Sequence, residues 1–475
     1  MRKDPPRAAV IGAGPSGFYT AEQLLGSGFE VDLIDALPTP YGLVRAGVAP
    51  DHQKIKGVTR VYARIAGRPG FRFFGGVELG RHLTRDELLE RFHAVVYAVG
   101  AADDNRLGVP GEDRPGSHPA TEFVAWYNGH PDFADRGFGL SAKRAVVIGN
   151  GNVALDAARM LVADPAELAR TDIADHALRA LERAAVREVV VLGRRGPAQA
   201  SFTDPELREL GELPRADVVV DPAAVQLDPH SAAWLESGAA DAGTRRNMEI
   251  LREYAWRPLA GKTHRVVLTF SCSPVEILGG QDGSVSGVRV VRNRIELGAD
   301  GRLYAVPTGQ EEVIECGLVL RSIGYRGRPL PGVPFDERRG VIRNAGGRVL
   351  GDDGAPLPGE YAAGWIKRGP SGVIGTNKKD AADTVARIAE DAEAGALNEP
   401  ARPDAGEIAA WLAGRVPDLV RWGGWEAIDR HEVGRGEPLG RPRVKIVRRP
   451  EMVGVALGTS SQTRARDANC DVTRQ

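Results

Sequence analysis

The sequence predicts an α/β fold with two Rossmann-like dinucleotide-binding domains, one inserted into the other. Near the start of the chain a β-rich run meets a glycine-rich turn and a helical stretch, and the same arrangement recurs near residue 150. Two similar apolar strand-to-turn segments, FHAVVYAVGA (92–101) and CGLVLRSIGYRG (316–327), mark the places where the chain would cross between the domains.

The composition is that of a soluble globular protein, with 475 residues, 42% of them hydrophobic and 26% charged. With a net charge of −1, the protein as a whole does not attract nucleic acid or an anionic membrane. No apolar run is long enough to predict a membrane-spanning helix. The three cysteines, Cys272, Cys316 and Cys470, form no CxxC pair. We therefore expect a reduced, cytoplasmic protein with no metal site and no dithiol relay.

The first motif is AAVIGAGPSGFYTAEQLL, in which Gly12, Gly14 and Gly17 have GxGxxG spacing. Gly12 allows a tight turn, Gly14 lets the backbone approach a pyrophosphate, and Gly17 lets helix and strand pack closely. The next strand, EVDLID, ends on Asp35, whose carboxylate can hold a ribose diol. This unit is therefore predicted to bind a dinucleotide.

The second motif is RAVVIGNGNVALDAARML, with Gly149, Gly151 and, in the third position, Ala154. A helix-prone stretch at about 165–185 follows, and then the strand REVVVLG, which ends before Arg194 and Arg195. Two guanidinium groups beside the adenosine ribose would bind a 2′-phosphate, whereas an acid would repel it. The second unit therefore predicts NADPH, and the acid after the first motif predicts FAD there, with hydride passing from nicotinamide to flavin.

The predicted domains are a FAD-binding domain in two parts and an NADP-binding domain between them. The first part of the FAD domain is 1–105, the NADP domain is 106–319, and the second part is 320–458, which ends in a C-terminal helical appendage; 459–475 is predicted to be a disordered tail. In the second part, GPSGVIGTNKKDA is predicted to open a helix aimed at the isoalloxazine, with a buried side formed by Ala381, Ala382, Val385 and Ile388.

With these motifs placed, the sequence resembles the adrenodoxin-reductase-type ferredoxin–NADP reductases of bacteria and mitochondria, over nearly its full length. The most specific stretches are PTPYGLVRAGVAPDHQKIK, VIGNGNVALDAAR, GRRGPAQASFT, ELREL and GWIKRGPSGVIGTNKKDA. The resemblance implies a glutathione-reductase-like fold, FAD, NADPH and one-electron delivery to a ferredoxin-type iron–sulfur protein.

The resemblance also implies site residues. For FAD, the pyrophosphate would lie on Gly12, Gly14, Ser16 and Gly17, and the adenosine ribose on Asp35, where the family more often has Glu. The flavin ring and ribityl chain would be lined or covered by Leu43, Val77, Trp365, Gly372, Val373 and Ile374. For NADP, the pyrophosphate would lie on Asn150, Gly151, Asn152 and Val153, the 2′-phosphate on Arg194 and Arg195, and the nicotinamide half beside Glu206.

His52 and Glu209 match a family pair near the flavin, in a proton path or in partner contact. From the residues alone, His52 is more typical of a satisfied polar group and Glu209 of a solvated surface group, and the functional interpretation rests on the motif match. For the electron acceptor, Arg245, Arg246 and Arg252 on one predicted helix, with Lys262 and Arg265 further on, would dock an acidic ferredoxin, or form an ordinary exposed charged helix.

Other functions remain open at this point. One alternative is another NADPH-dependent two-dinucleotide flavoenzyme, either a flavin monooxygenase or a flavin subunit that feeds electrons to a larger synthase. A different class is a non-catalytic FAD-binding redox sensor, which would have little use for the selectivity of Arg194 and Arg195. We expect a monomer or weak dimer, with no nucleic acid and no membrane as partner.

Overall fold

The computed structural model describes residues 5–372 and 374–459. The strands are β1 (Arg7–Ile11), β2 (Glu30–Asp35), β3 (Phe71–Gly75), β4 (Ala94–Tyr97), β5 (Asp103–Asp104), β6 (Ser117–Pro119), β7 (Arg144–Ile148), β8 (Glu188–Leu192), β9 (Ala216–Val220), β10 (His264–Thr269), β11 (Cys272–Gly279), β12 (Val285–Leu297), β13 (Leu303–Glu315), β14 (Leu318–Arg321), β15 (Tyr325–Arg326), β16 (Phe335–Asp336), β17 (Val341–Ile342), β18 (Asn344–Ala345), β19 (Arg348–Leu350) and β20 (Pro356–Ala362).

The α-helices are α1 (Pro15–Gly26), α2 (Leu43–Ala46), α3 (Gln53–Lys56), α4 (Thr59–Ala66), α5 (Arg85–Leu89), α6 (Ala120–Tyr127), α7 (Asn152–Val162), α8 (Pro165–Leu168), α9 (Asp175–Glu182), α10 (Asp204–Gly211), α11 (Pro229–Glu236), α12 (Ala242–Trp256), α13 (Trp365–Arg368), α14 (Thr376–Glu393), α15 (Ala405–Arg415), α16 (Trp422–Gly436) and α17 (Arg449–Ala456). Within residues 5–372 and 374–459, none of these helices has the length and apolar character needed to cross a membrane.

The chain divides into two compact units. Of the described residues, those up to Asp103 and from Gly324 to Thr459 form the first unit, and Asp104–Ile323 form the second. The domain boundaries expected from the sequence, 105/106 and 319/320, lie a few residues from these positions. Which nucleotide each domain binds stays a prediction at this stage.

The first unit contains a seven-stranded sheet with the order β18-β19-β20-β4-β1-β2-β3. The strands from β20 to β3 run parallel, and β18 and β19 extend the sheet antiparallel at one edge. All five residues of β1 are buried, as expected for a parallel strand covered on both faces. The chain runs from β1 toward β3 on one side and returns to β4 on the other, and sheets of this kind bind ligands at that switch point.

Helices α1 and α14 cover one face of this sheet. Phe18 of α1 and Ala381, Val385 and Ile388 of α14 belong to the same core cluster, and Ala382 is half-buried. The predicted C-terminal appendage contains α15, α16 and α17, in which Trp425 is 2% exposed and Trp422 packs edge-on against Phe73. Of the predicted tail, everything beyond Thr459 lies outside the described residues, and so does Cys470.

The second unit contains a parallel six-stranded sheet with the order β6-β14-β7-β8-β10-β9. It also contains an antiparallel sheet, β11-β12-β13, which the sequence motifs do not predict. The stretch predicted to be helix-prone at 165–185 forms α8 and α9.

Two cysteines lie in the second unit, and both are free and buried. Burial raises the pKa of Cys272 to about 11 and that of Cys316 to about 12, so both thiols stay protonated at neutral pH. In the described part of the chain, no group of three or more His, Cys, Asp or Glu side chains could hold a metal ion.

Candidate functional site

The first glycine turn, Gly12–Gly17, connects β1 to α1 at the switch point of the first sheet. Gly12 has φ +108°, and a Cβ there would lie 2.6 Å from the carbonyl oxygen of Ala98. A Cβ on Gly17 would lie 1.9 Å from the carbonyl oxygen of Gly12. Both positions therefore require glycine for steric reasons.

The helix that follows this turn presents an open amino terminus. Gly14 is the N-cap of α1, no side chain caps the helix, and a Cβ on Gly14 would meet only the Cα of Gly42, 4.0 Å away. Ser16 is 7% exposed, and its Oγ has no hydrogen-bond partner among the described residues. Free helix amides, a buried unpaired hydroxyl and the helix dipole together fit a bound pyrophosphate.

Asp35 ends β2 beside this turn. Its Oδ2 accepts a hydrogen bond from the Ala13 N–H at 2.6 Å, and its Oδ1 accepts one from the Leu37 N–H at 2.8 Å. Burial raises the pKa of Asp35, although these two donors and the charge of Arg449 oppose that effect. Each oxygen keeps a second lone pair, so the carboxylate can still accept hydrogen bonds from a ribose diol.

The two apolar residues expected at the flavin have different environments. Leu43 begins α2 and is 48% exposed, so its side chain is open to a ligand. Val77 is 1% exposed and belongs to a core cluster, and its backbone N–H donates to the carbonyl oxygen of Asp35 at 2.9 Å. Its burial does not support a side-chain contact with flavin, and that contact stays a prediction.

The carboxyl-terminal part of this unit returns to the same turn. Gly364, after β20, has φ +78°, and a Cβ there would lie 2.6 Å from Ser16 Oγ. Trp365 follows, with its ring stacked 5.7 Å from that of Tyr325 and its Nε1–H donating to the Ser371 carbonyl oxygen at 3.1 Å. The structure therefore brings Trp365 and the first glycine turn together within one unit.

The remaining predicted residues of this segment lie before α14. Gly372 has φ +79°, and a Cβ there would clash with Thr376 Oγ1 at 2.6 Å. Ile374 is half-buried against the core, and its carbonyl oxygen accepts a hydrogen bond from Asn377 Nδ2 at 3.2 Å. Val373 lies outside the described residues.

A charged group beside this segment was not singled out from the sequence. Asp380, 8% exposed, accepts a hydrogen bond from the Gly364 N–H at 2.5 Å and pairs with Lys367 Nζ at 3.2 Å. Arg368 donates to Asn377 Oδ1 at 3.1 Å. In the sequence, Asp380 lies on the apolar side of α14, one residue before Ala381. A charged side chain is tolerated at such a position only when it is paired, and this is the signal that could have identified the group.

The second glycine turn, Gly149–Ala154, repeats the geometry of the first in the other unit. Gly149 has φ +130°, a Cβ there would lie 2.0 Å from the Ser322 carbonyl oxygen, and its N–H donates to the Leu192 carbonyl oxygen at 2.8 Å. Gly151 is the N-cap of α7, with no side-chain cap and nothing within 4 Å of a Cβ. The third position, Ala154, is fully buried.

The other predicted residues of this turn connect it to the segment before α10. The Asn150 carbonyl oxygen accepts hydrogen bonds from the N–H groups of Ser201 and Phe202, each at 3.0 Å. Asn152 Oδ1 accepts one from the Thr203 N–H at 2.8 Å, and Val153 is half-buried. Glu206, in the first turn of α10, accepts a hydrogen bond from the Thr203 hydroxyl.

The two arginines follow β8 immediately after Gly193. Arg194 is exposed and Arg195 is half-buried, and neither forms an ion pair with a carboxylate in the described ranges. Burial, and then the charge of Arg194, lowers the pKa of Arg195. A guanidinium nevertheless keeps its positive charge in proteins. The pair is thus an uncompensated positive site, suited to a phosphate dianion.

The two residues of the expected catalytic pair lie in different units. His52 precedes α3 in the first unit and is half-buried. Glu209 lies on α10 in the second unit and is also half-buried. Their mutual arrangement therefore stays a prediction.

The expected acceptor-docking arginines all lie on α12. Arg245, Arg246 and Arg252 are exposed, but Arg246 Nε pairs with Asp204 Oδ2 at 3.0 Å. Of the two cations further on, Lys262 donates to the Leu213 carbonyl oxygen at 2.6 Å and Arg265 pairs with Glu188 at 3.5 Å. In the described chain, Arg245, Arg252 and Lys262 form no ion pair with an acid, and of these three only the two arginines lie on α12.

Comparisons with known proteins agree with this geometry. Residues 6–210 match the family model described as pyridine nucleotide-disulphide oxidoreductase. The chain is 48% identical to the NADPH-ferredoxin reductase FprA of Mycobacterium tuberculosis, over 95% of this chain and 99% of that protein. It is 42% identical to the human mitochondrial NADPH:adrenodoxin oxidoreductase, over 94% of this chain and 91% of that protein.

A solved structure gives the same result. The structure of Mycobacterium tuberculosis FprA in complex with NADPH superposes with a TM-score of 0.89 at 47% identity, and the match covers 95% of this chain and all of that one. The fold class predicted from the sequence is thereby confirmed.

Proposed function

Because this chain belongs to the adrenodoxin-reductase-type ferredoxin–NADP reductases, we propose that its two glycine turns serve two different cofactors. The chain is an NADPH-dependent flavoprotein oxidoreductase with FAD and NADP(H) as cofactors, and it passes electrons to a ferredoxin-type partner. Bound FAD supplies the step between two-electron and one-electron chemistry, because it accepts a hydride and gives up electrons singly.

We propose that the first glycine turn holds FAD. The free amino terminus of α1 and the unpaired Ser16 Oγ would bind the pyrophosphate, and the open lone pairs of Asp35 would accept the ribose hydroxyls. Around the flavin we place Leu43, Val77, Trp365, Gly372, Val373 and Ile374, although the side chain of Val77 is buried in the core. The exposed Leu43 and the stacked Trp365 support this placement most directly.

We propose that the second glycine turn holds NADP. Asn150, Gly151, Asn152 and Val153 would hold the pyrophosphate at the amino terminus of α7, and Glu206 would face the nicotinamide half. Arg194 and Arg195 would bind the 2′-phosphate, because no acid in the described chain compensates their charges. This uncompensated pair is the observation that best supports NADPH over NADH.

Hydride transfer between two stacked rings needs positioning but no protein acid or base. We therefore propose that His52 and Glu209 act either in proton transfer or in contact with the ferredoxin, and that neither is needed for the hydride step. Replacing either one would then slow turnover less than losing a cofactor would.

We propose that the ferredoxin docks on the outer face of α12. Arg245 and Arg252 lie two helical turns apart on that face, and Trp256 at the end of the helix is 70% exposed. Exposed tryptophan and arginine side chains are typical of the residues that dominate binding energy in protein interfaces. An acidic ferredoxin would be attracted by the charges and anchored by the indole.

The function is tested by cytochrome c reduction with NADPH, with and without an added ferredoxin. A ferredoxin reductase shows a rate that depends on the ferredoxin, whereas NADPH consumption that requires an organic substrate and oxygen would indicate a monooxygenase. The cytoplasmic location and the monomeric or weakly dimeric state stay predictions, which localisation and sedimentation measurements would test.

A further inference from the structure

The loop Tyr41–Gly47, which contains α2, has an unfavourable backbone conformation. Tyr41 has φ 86°, in the left-handed region that non-glycine residues rarely adopt, and Gly42 follows with φ 48° and ψ −126°. Such a conformation persists only where the surrounding structure holds it in place. The contacts that hold this loop are therefore of functional interest.

The strained residues lie directly against the first glycine turn. The Tyr41 N–H donates to the Ala13 carbonyl oxygen at 2.8 Å, and a Cβ on Gly42 would lie 2.9 Å from the Cα of Gly14. Leu43, the exposed residue proposed to line the flavin, comes next in the chain. The position of this loop thus sets the space above the turn in which FAD is proposed to lie.

The C-terminal helices hold the loop from the other side, partly through aromatic contacts. The Tyr41 ring packs edge-on against Trp425 of α16 at 5.4 Å between centroids and lies 5.5 Å from Phe18 of α1. The Arg45 guanidinium lies 5.4 Å from the centroid of the Trp425 ring. These contacts bring α16 onto both ends of the loop.

A buried ion pair completes this contact. Arg45 donates to Glu432 of α16 through both terminal nitrogens, Nη1 to Oε2 at 2.8 Å and Nη2 to Oε1 at 2.5 Å, and the Glu432 side chain is fully buried. Glu432 also accepts hydrogen bonds from Arg443 at 3.2 Å and from the Ile446 N–H at 2.8 Å. Lys445 Nζ donates to the Arg45 carbonyl oxygen at 3.1 Å.

From this geometry we propose that Arg45 and Glu432 are positioning residues through which the C-terminal helices hold the Tyr41–Gly47 loop over the first glycine turn and slow the release of FAD. The inference rests on the proposed function, which places FAD at that turn. It gives the C-terminal appendage a role, because α16 provides the carboxylate that fixes Arg45.

The test measures the rate at which flavin fluorescence appears when the holoprotein is diluted. Arg45→Met is the main variant, because Glu432 keeps Arg443 and the Ile446 N–H and is not left as an unpaired buried charge. We expect this variant to release FAD at least tenfold faster than the parent. Arg45→Lys, which keeps the charge and loses the two-pronged contact, should release FAD at an intermediate rate.

Arg85→Met is the matched control. Arg85 also makes a two-pronged contact with a buried glutamate, Glu360, including Nε to Oε2 at 2.8 Å, but it lies on α5 and not on the Tyr41–Gly47 loop. Arg85→Met should lower the thermal midpoint of unfolding by about as much as Arg45→Met does. It should release FAD within twofold of the parental rate.

The proposal is overturned if Arg45→Met releases FAD at the parental rate, or if both methionine variants accelerate release equally, because the effect would then be general loss of stability. If Arg45→Met does not fold, Arg45→Lys is judged by the same criteria against Arg85→Lys. A parent protein without a flavin spectrum would contradict the proposed function itself, and that outcome is visible before any variant is made.

Discussion

Asp35 and Gly193 occupy equivalent positions in the two parallel sheets. Ile34 pairs with Ile11 and its carbonyl oxygen accepts the Gly12 N–H, and Leu192 has the same relation to Ile148 and Gly149. The residue after Ile34 is the acid Asp35, whereas the residue after Leu192 is Gly193. A carboxylate at position 193 would face and repel the proposed 2′-phosphate. The absence of an acid at Gly193 is therefore as important for NADP binding as the positive charge of Arg194.

The arginine pair should determine the choice of nucleotide. Arg194→Ala combined with Arg195→Ala removes charge-assisted hydrogen bonds worth about 1.5–3 kcal/mol each, so we expect the KM for NADPH to rise on the order of a hundredfold. The KM for NADH should hardly change. The control replaces another exposed adjacent pair, Arg338 and Arg339, by alanine. Equal loss with both nucleotides would show that the pair does not read the phosphate.

Introducing an acid directly after β8 should shift the nucleotide preference from NADPH toward NADH. Gly193→Asp places a carboxylate at the position equivalent to Asp35, and we expect the ratio of kcat/KM for NADPH to that for NADH to fall at least tenfold. A Cβ at 193 would lie 2.6 Å from Asn150 Nδ2, so Gly193→Ala is needed to measure the steric effect alone. If the alanine variant changes the ratio as much as the aspartate variant, the charge argument is wrong.

Acceptor docking should depend on the uncompensated cations of α12. Arg245→Ala with Arg252→Ala should raise the KM for ferredoxin about three- to tenfold at low ionic strength, and the effect should shrink as salt is added. Arg246→Ala should have a smaller effect, because Asp204 already neutralises that charge. Steady-state rates at two salt concentrations measure both effects, and a double variant whose KM for ferredoxin is unchanged at low salt would rule out this docking face.

The buried Glu432 should make stability depend on acidic pH. Burial favours its protonated form, but the charges and hydrogen bonds of Arg45 and Arg443 prevail and hold the pKa of Glu432 below the usual 4.5. A carboxyl group with a lowered pKa contributes stability that is fully present above its unfolded-state pKa. That contribution is lost as the pH falls through the folded-state pKa.

Thermal unfolding of Glu432→Gln measures this contribution. The variant should be less stable than the parent by about 3–5 kcal/mol at neutral pH, because it breaks a buried ion pair. The difference in the free energy of unfolding between the parent and this variant should narrow as the pH falls below 4.5. The exposed Glu437→Gln serves as the control and should show neither effect. If the stability difference between the parent and Glu432→Gln stays constant from pH 7 to pH 3, the lowered pKa of Glu432 does not contribute to stability in the way we expect.

Local patterns predicted the parts of the structure that depend on neighbouring residues. The two glycine turns, the strand EVDLID and the buried side of α14 follow from spacing and alternation that a short window contains. The same holds for Arg194 and Arg195, which follow β8 directly in the sequence. These features are fixed by sterics within one strand–turn–helix unit.

Other features depend on pairing between distant segments. Arg45 and Glu432 are 387 residues apart, so nothing near either one indicates the ion pair. The register that makes Gly193, and not Arg194, the equivalent of Asp35 is set by the pairing of β7 with β8. The burial of Val77 likewise depends on packing in a core to which β4, β20 and α15 also contribute.

The central claim is that FAD in this chain receives electrons from NADPH and passes them to a ferredoxin. The most direct measurement is the anaerobic visible spectrum of the purified protein during addition of NADPH and then of an oxidised ferredoxin. We predict flavin absorption bands that bleach with NADPH, respond far less to NADH, and return when the ferredoxin is added. A colourless protein that takes up no flavin, or flavin bands that NADPH leaves unchanged, would contradict the account.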